Sequence, residues 1–229
     1  MRNLLLLHGA IGAKEQLYLL AESLQHHYTI HTLNFSGHGG NSIPDDPFSI
    51  ELFAKDVLEY MQQQSIENIS IFGYSMGGYV GMWLAKNYPE KINRLITLAT
   101  KFYWDETIAS KEIKMLNAET IEQKVPAFAN QLKQRHAPNN WKLVMQKAAE
   151  MLVNLGINNT LKTEDYSSIA ISCLLMLGDR DKMVTLDETV AVYKQLSNAQ
   201  FGVLPNTPHP VEQVNIDMLA YMVQRFLQQ

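Results

Sequence analysis

Apolar residues along this chain gather into six short runs: Asn3–Leu7, Thr29–Leu33, Asn68–Phe72, Arg94–Ala99, Ile171–Leu177 and Gln200–Leu204. Within them Val, Ile, Leu and Phe are nearly continuous instead of alternating with polar residues. That pattern suits strands covered on both faces, as in a parallel sheet. Between the runs lie stretches with helical periodicity near Glu15–His26, Ile50–Gln64, Gly77–Tyr88 and Thr185–Leu196, and a last one near Val211–Leu227. Strand and helix in alternation imply right-handed βαβ units and a doubly wound, mostly parallel six-stranded sheet of the α/β class.

One interval breaks the alternation. From 102 to 168 no convincing strand is visible, and helical stretches fall near Glu106–Leu116, Ile121–Gln134 and Trp141–Leu155. Pro126, Pro138 and Gly156-Ile157-Asn158-Asn159 punctuate them. Phe102, Tyr103, Trp104, Phe128 and Trp141 cluster there with Met115, Met145 and Met151. Such residues either pack the segment onto the sheet or line an apolar pocket. The expected organisation is therefore a core formed by 1–101 and 169–229, with 102–168 inserted in it.

Composition narrows the classes. The chain has 229 residues, enough for one full core, with 46% apolar and 18% charged positions as in soluble enzymes. A net charge of −4 gives no electrostatic footprint for nucleic acid. The single cysteine, Cys173, lies in an apolar run and reads as a buried, inert thiol. The first residues, Met1 to Leu7, hold only four consecutive leucines before His8 and Gly9, shorter than a signal-peptide core. No run approaches a membrane span. The expectation is a cytoplasmic protein, monomer or homodimer, with no membrane or nucleic-acid partner. No repeat, low-complexity tract or Gly/Ser linker is visible.

The chemistry is carried by Gly73-Tyr74-Ser75-Met76-Gly77, followed by Gly78. It stands between a strand-like run and a helical pattern, where a sharp turn would push the serine hydroxyl into a cleft. Downstream, an apolar run ends in Gly178-Asp179-Arg180-Asp181, and another ends in Pro205-Asn206-Thr207-Pro208-His209. Nucleophile, acid, histidine is the chain order of one large fold family. Upstream, Leu7-His8-Gly9-Ala10 follows the first run, and Ser36-Gly37-His38-Gly39-Gly40-Asn41-Ser42 follows the second.

Five segments in order, from His8 to His209, resemble those of the α/β-hydrolase fold superfamily, in its serine-nucleophile, carboxylesterase-like branch with a helical cap. The resemblance implies an α/β-hydrolase core with 102–168 as a cap, and no N-terminal hairpin, because the oxyanion strand starts at residue 3. It implies Ser75 as nucleophile and His209 as base. It implies Asp181 as acid through the segment Gly178 to Val184, with Asp179 and Asp105 as alternative acids. The backbone N–H groups of Ala10 and Met76 would form the oxyanion hole, and His8 and His38 would organise loops. Asn34, Ser36 and Gly40 depart from the family pattern, which weakens any inference about what that loop recognises.

The expected activity is hydrolysis of a small ester or related acyl substrate through an acyl-enzyme, with no cofactor. A C–C bond hydrolase, a lyase or a thioesterase of the same fold is the alternative, and Lys101 or Arg135 binding a carboxylate would favour the first two. A non-catalytic ligand-binding sensor is the third reading. Ser75 excludes the aspartate nucleophile of dehalogenase relatives. The chain lacks H-E-x-x-H, paired cysteines, a P-loop and a Rossmann fingerprint, so metal and nucleotide chemistry find no motif.

Overall fold

A computed structural model describes residues 2–229; residue 1, the first of the expected core segment, lies outside the described residues. Six strands form one sheet: β1 (Arg2–Leu7), β2 (Tyr28–Thr32), β3 (Ile69–Tyr74), β4 (Ile92–Leu98), β5 (Ser172–Gly178) and β6 (Ala199–Leu204). Their order is β2-β1-β3-β4-β5-β6, and every neighbouring pair is parallel. The helices that follow β2 to β6 all connect parallel strands or close the chain, so both faces of the sheet are covered.

The leucines of β1 show how the faces divide. Leu5 and Leu7 join a core with Phe53 and Val57 of α2 (Ile50–Gln63), Val80 and Leu84 of α3 (Met76–Asn87), and Val192. Leu4 and Leu6 point the other way, toward Leu20 and Leu24 of α1 (Tyr18–Leu24) and toward Leu219 and Val223. All four leucines are fully buried. Truncating any one to alanine removes about 2–5 kcal/mol, which explains why this strand has no polar alternation.

Among the described residues, the segment between β4 and β5 contains helices and no strand. It holds α4 (Glu106–Glu112), α5 (Ala118–Lys124), α6 (Pro126–His136), α7 (Trp141–Ile157) and the short α8 (Thr163–Tyr166). One expectation needs correction here. The helical pattern at 121–134 is two helices, because Pro126 has no N–H to donate and disfavours helical backbone at Val125; Val125 has φ −138 and ψ 60. The one-turn α8 lies outside the expected helical stretches.

Two further helices complete the core. α9 (Leu186–Gln195) lies between β5 and β6, and α10 (Ile216–Leu227) ends the chain. The last helical pattern is also broken: Val211–Gln213 is a separate 3-10 turn, and α10 begins afresh after Asn215, whose side chain accepts from the Met218 amide at 2.9 Å. Likewise Lys14–Leu17 is a 3-10 turn ahead of α1.

This topology fixes where a site can form. Gly9, Ser75, Asp181 and His209 follow the ends of β1, β3, β5 and β6 respectively. Since these strands are parallel, the four positions share the carboxyl edge of the sheet, the usual place for ligands in such folds. Among the described residues no helix is long and apolar enough to cross a membrane.

Candidate active site

Ser75 stands at the turn from β3 into α3 with φ 51 and ψ −117. A non-glycine residue in that region carries about 1–3 kcal/mol of backbone strain. The surroundings hold it there. Its amide donates to Leu98 O at 2.8 Å, and its carbonyl accepts from Thr100 Oγ1 at 3.0 Å and from the Gly78 amide at 3.0 Å. The turn is tight enough to demand glycine on both sides. A Cβ on Gly73 would lie 2.4 Å from Gly77 O, and one on Gly77 would lie 2.5 Å from Leu7 O.

Serine is a common helix-capping residue, and that would be the bland role for Ser75. The structure assigns the hydroxyl no such bond. Ser49, by contrast, does cap α2, accepting from the Leu52 amide at 3.1 Å. The helix nonetheless begins at Met76, so the Met76 amide is among its unsatisfied N-terminal donors.

His209 Nδ1 lies 2.8 Å from Asp181 Oδ2. The other Asp181 oxygen accepts from the amides of Met183 at 2.8 Å and Val184 at 2.9 Å. Burial pushes the Asp181 carboxyl upward, but the hydrogen bond and charge of His209, with those two amides, outweigh it and leave the group below its ordinary value. With Nδ1 donating to a carboxylate, a neutral imidazole keeps its lone pair on Nε2. Tyr74 fixes the loop from below: its hydroxyl donates to the His209 carbonyl at 3.1 Å. Asp179 does something else, accepting from the Thr207 amide at 3.1 Å. Asp105 caps α4 through the Ile108 amide at 2.7 Å.

The Gly9-Ala10 segment lies against the elbow, since a Cβ on Gly9 would be 3.2 Å from the Ser75 Cβ. Its shape is maintained by buried histidines. His8 donates from Nδ1 to Gly9 O at 2.8 Å and accepts at Nε2 from the Phe35 amide at 3.2 Å. Burial lowers its pKa to about 3. His38, also held well below 6.5 by burial, donates from Nδ1 to Ser36 O at 3.0 Å.

A third histidine, His136 at the end of α6, was not singled out from sequence. It accepts at Nδ1 from the Gly39 amide at 3.2 Å and donates from Nε2 to Ile11 O at 3.0 Å. It thus ties the helical insertion to both loops beside Ser75. Burial lowers its pKa to about 4. Ile11 itself has φ 52.

Ser75, His209, Ala10 and Met76 line one cavity of about 770 Å3, within the range of small-molecule sites. The insertion supplies much of the wall. Trp104, Met115, Phe128 and Met151 face the cavity, whereas Phe102, Met145 and Trp141 are buried in packing and Tyr103 is exposed. Lys101 and Arg135 both reach it, and each is already paired. Lys101 Nζ is 3.2 Å from Glu188, and Arg135 is 3.5 Å from Glu212 while also donating to Ile11 O at 3.2 Å. Cys173 is buried in the core with its thiol pushed up to about 12, which suits an inert role.

Residues 2–152 match the family model described as the alpha/beta hydrolase fold. A protein of Haemophilus influenzae whose name places it among esterases/lipases is 21% identical, covering 98% of this chain and 82% of its own. The carboxylesterase CesB of Bacillus subtilis superposes with a TM-score of 0.81 at 17% identity, over 99% of this chain and 83% of that one. A thermophilic esterase of Thermogutta terrifontis superposes with a TM-score of 0.77 at 20% identity, over 100% and 90%. At these identities the structural likenesses establish the fold.

Proposed function

Since this chain belongs to the alpha/beta hydrolase fold family, we propose that it is a serine hydrolase acting on small esters or related acyl substrates through an acyl-enzyme. Ser75 Oγ attacks the carbonyl carbon while His209 Nε2 takes its proton. Asp181 holds the imidazole tautomer and stabilises the imidazolium. The tetrahedral oxyanion lies between the backbone N–H groups of Ala10 and Met76, whose α3 dipole favours an anion. As the C–O bond breaks, the proton on Nε2 passes to the leaving alkoxide. Water, deprotonated by His209, then attacks the acyl carbon, and the acid departs as the proton returns to Ser75.

One observation carries this reading. A serine hydroxyl released from capping, on a strained turn, shares a cavity with an imidazole whose far nitrogen is engaged by a carboxylate. The names of the Haemophilus and Bacillus relatives point to the same reaction class. A C–C hydrolase or lyase of carboxylate substrates needs a free cation in the pocket, and both candidates are already paired.

The test is labelling with a fluorophosphonate probe alongside p-nitrophenyl acetate turnover. The wild-type chain takes up the probe on Ser75 and hydrolyses the ester. Ser75→Ala loses both and keeps its fold by circular dichroism. Unchanged turnover in that variant removes Ser75 from the mechanism, and an unlabelled, inactive wild type returns the protein to the ligand-binding reading.

A further inference from the structure

Among the described residues, three buried side-chain atoms have no hydrogen-bond partner: His38 Nε2, Thr97 Oγ1 and Glu112 Oε2. Only Glu112 lines the cavity that holds Ser75 and His209. It sits at the end of α4, 3% exposed, and also borders a second cavity of about 480 Å3 behind Lys101. The wall of the main cavity also includes Met115, Leu116, Met151 and Leu155. None of these offers a hydrogen-bond donor to a carboxyl group.

The charges around the cavity form a short inventory. Lys101 is paired with Glu188, Arg135 with Glu212, and His209 with Asp181. No ion pair reaches Glu112 among the described residues, not even from Lys101, whose ammonium is directed to Glu188 and lies over the Trp104 ring. Each cation of the wall is therefore neutralised from within the protein, and one carboxyl group is left over. A buried carboxyl without a partner lowers stability, and an apolar side chain of similar size would fit the methionine- and leucine-rich wall better. Among the described residues no donor reaches Oε2.

We infer that Glu112 is a specificity-determining residue. It selects a neutral or cationic substrate whose apolar body carries a hydrogen-bond donor, an O–H or N–H, and it turns away substrates ending in a carboxylate. The apolar wall takes the hydrocarbon part, and the donor pairs with the Glu112 carboxyl. An anionic end meets a carboxyl group and finds neither Lys101 nor Arg135 free. This rests on the cavity beside Ser75 being the substrate site.

Calorimetric binding of primary alkylamines, alkanols and alkanoates of matched chain length tests it without relying on turnover. The wild-type chain binds the amine about tenfold or more tightly than the alkanoate, with the alkanol between them. Glu112→Leu abolishes that order, and its melting temperature rises. Glu112→Gln keeps a carbonyl acceptor, so it retains alkanol binding and loses the preference for amine. An alkanoate that binds as well as the amine overturns the inference. So does an order that survives in Glu112→Leu, or failure of all three ligands to bind. Turnover of p-nitrophenyl acetate by the same wild-type preparation reports separately on the nucleophile. An active enzyme with no amine preference leaves the hydrolase reading standing and removes this one.

Discussion

The imidazole of His209 meets the carboxylate of Asp181 through one 2.8 Å hydrogen bond, and two backbone amides hold the carboxylate's other oxygen. The carboxylate cannot rotate away without losing three bonds. It therefore dictates which ring nitrogen carries the proton. Asp181→Asn presents an amide donor where an acceptor stood, favouring the tautomer with its proton on Nε2, which cannot accept from Ser75. The expected loss in kcat for p-nitrophenyl acetate is on the order of 10^3–10^4-fold at neutral pH. Asp179→Asn keeps an oxygen that can accept from the Thr207 amide and gives up an exposed ion pair with Arg180 at 3.8 Å, and its kcat is expected to stay within about tenfold of wild type. The reverse ranking transfers the orienting role to Asp179.

The turn that presents Ser75 is held by backbone packing that leaves no room for side chains. A methyl group on Gly73 would be 2.4 Å from both Gly77 O and Gly78 N, atoms at the rigid start of α3. Gly73→Ala is expected to lower unfolding free energy by about 3 kcal/mol or more, read from urea denaturation. Ser75→Gly should move stability the other way. With φ 51, glycine relieves the strain that alanine retains, so Ser75→Gly is expected to be about 1 kcal/mol more stable than Ser75→Ala. Equal stabilities would mean that the turn stores no strain at residue 75.

What the sequence made legible follows physical locality. The strands could be read because a sheet covered on both faces leaves Leu4 to Leu7 uniformly apolar. The Gly-x-Ser-x-Gly turn could be read because its steric demands fall on adjacent residues. Pro126 marks a helix break that apolar periodicity alone runs through. Asp179 and Asp181 both follow Gly178, and what separates them is a loop contact to Thr207 against one to His209, both 28 positions away. His136 and Glu112 had no signal of either kind. His136 acts on Ile11 across 125 positions, and Glu112 is distinguished by partners it lacks, which only the packed insertion reveals.

The His136 bridge links the insertion to the loop that carries Ala10. Arg135 and His136 both donate to Ile11 O, and the positive φ of Ile11 makes the loop's shape dependent on outside support. If the Ala10 amide works as proposed, His136→Ala lets that amide drift without touching substrate. The expected result is a kcat about tenfold to a hundredfold lower with KM nearly unchanged, short of the full loss of an oxyanion donor. The rate of fluorophosphonate labelling should fall in parallel. A rise in KM alone would place His136 in substrate binding instead.

Three buried histidines also give the fold a defined acid sensitivity. Burial lowers His8 to about 3 and His136 to about 4, and holds His38 well below 6.5. In the unfolded chain each takes up a proton near pH 6.5, whereas the native state does so only far lower. Above pH 6.5 both states are neutral at these positions and the stability is fully present. As pH falls below 6.5 the unfolded state binds protons that the native state refuses, so stability is lost down to the native values, at about 1.4 kcal/mol per pH unit for each group. Asp181 and Asp165, whose native values are lowered, contribute only near and below 3.8, so their effect falls at lower pH. The urea midpoint is therefore expected to drop steadily between pH 6.5 and 4.5. His136→Gln, which keeps a donor and an acceptor but cannot titrate, should show a shallower drop over that interval. An identical slope in the variant would mean that His136 protonates in the native fold as readily as in water, and that its bonds to Gly39 and Ile11 do not hold it neutral.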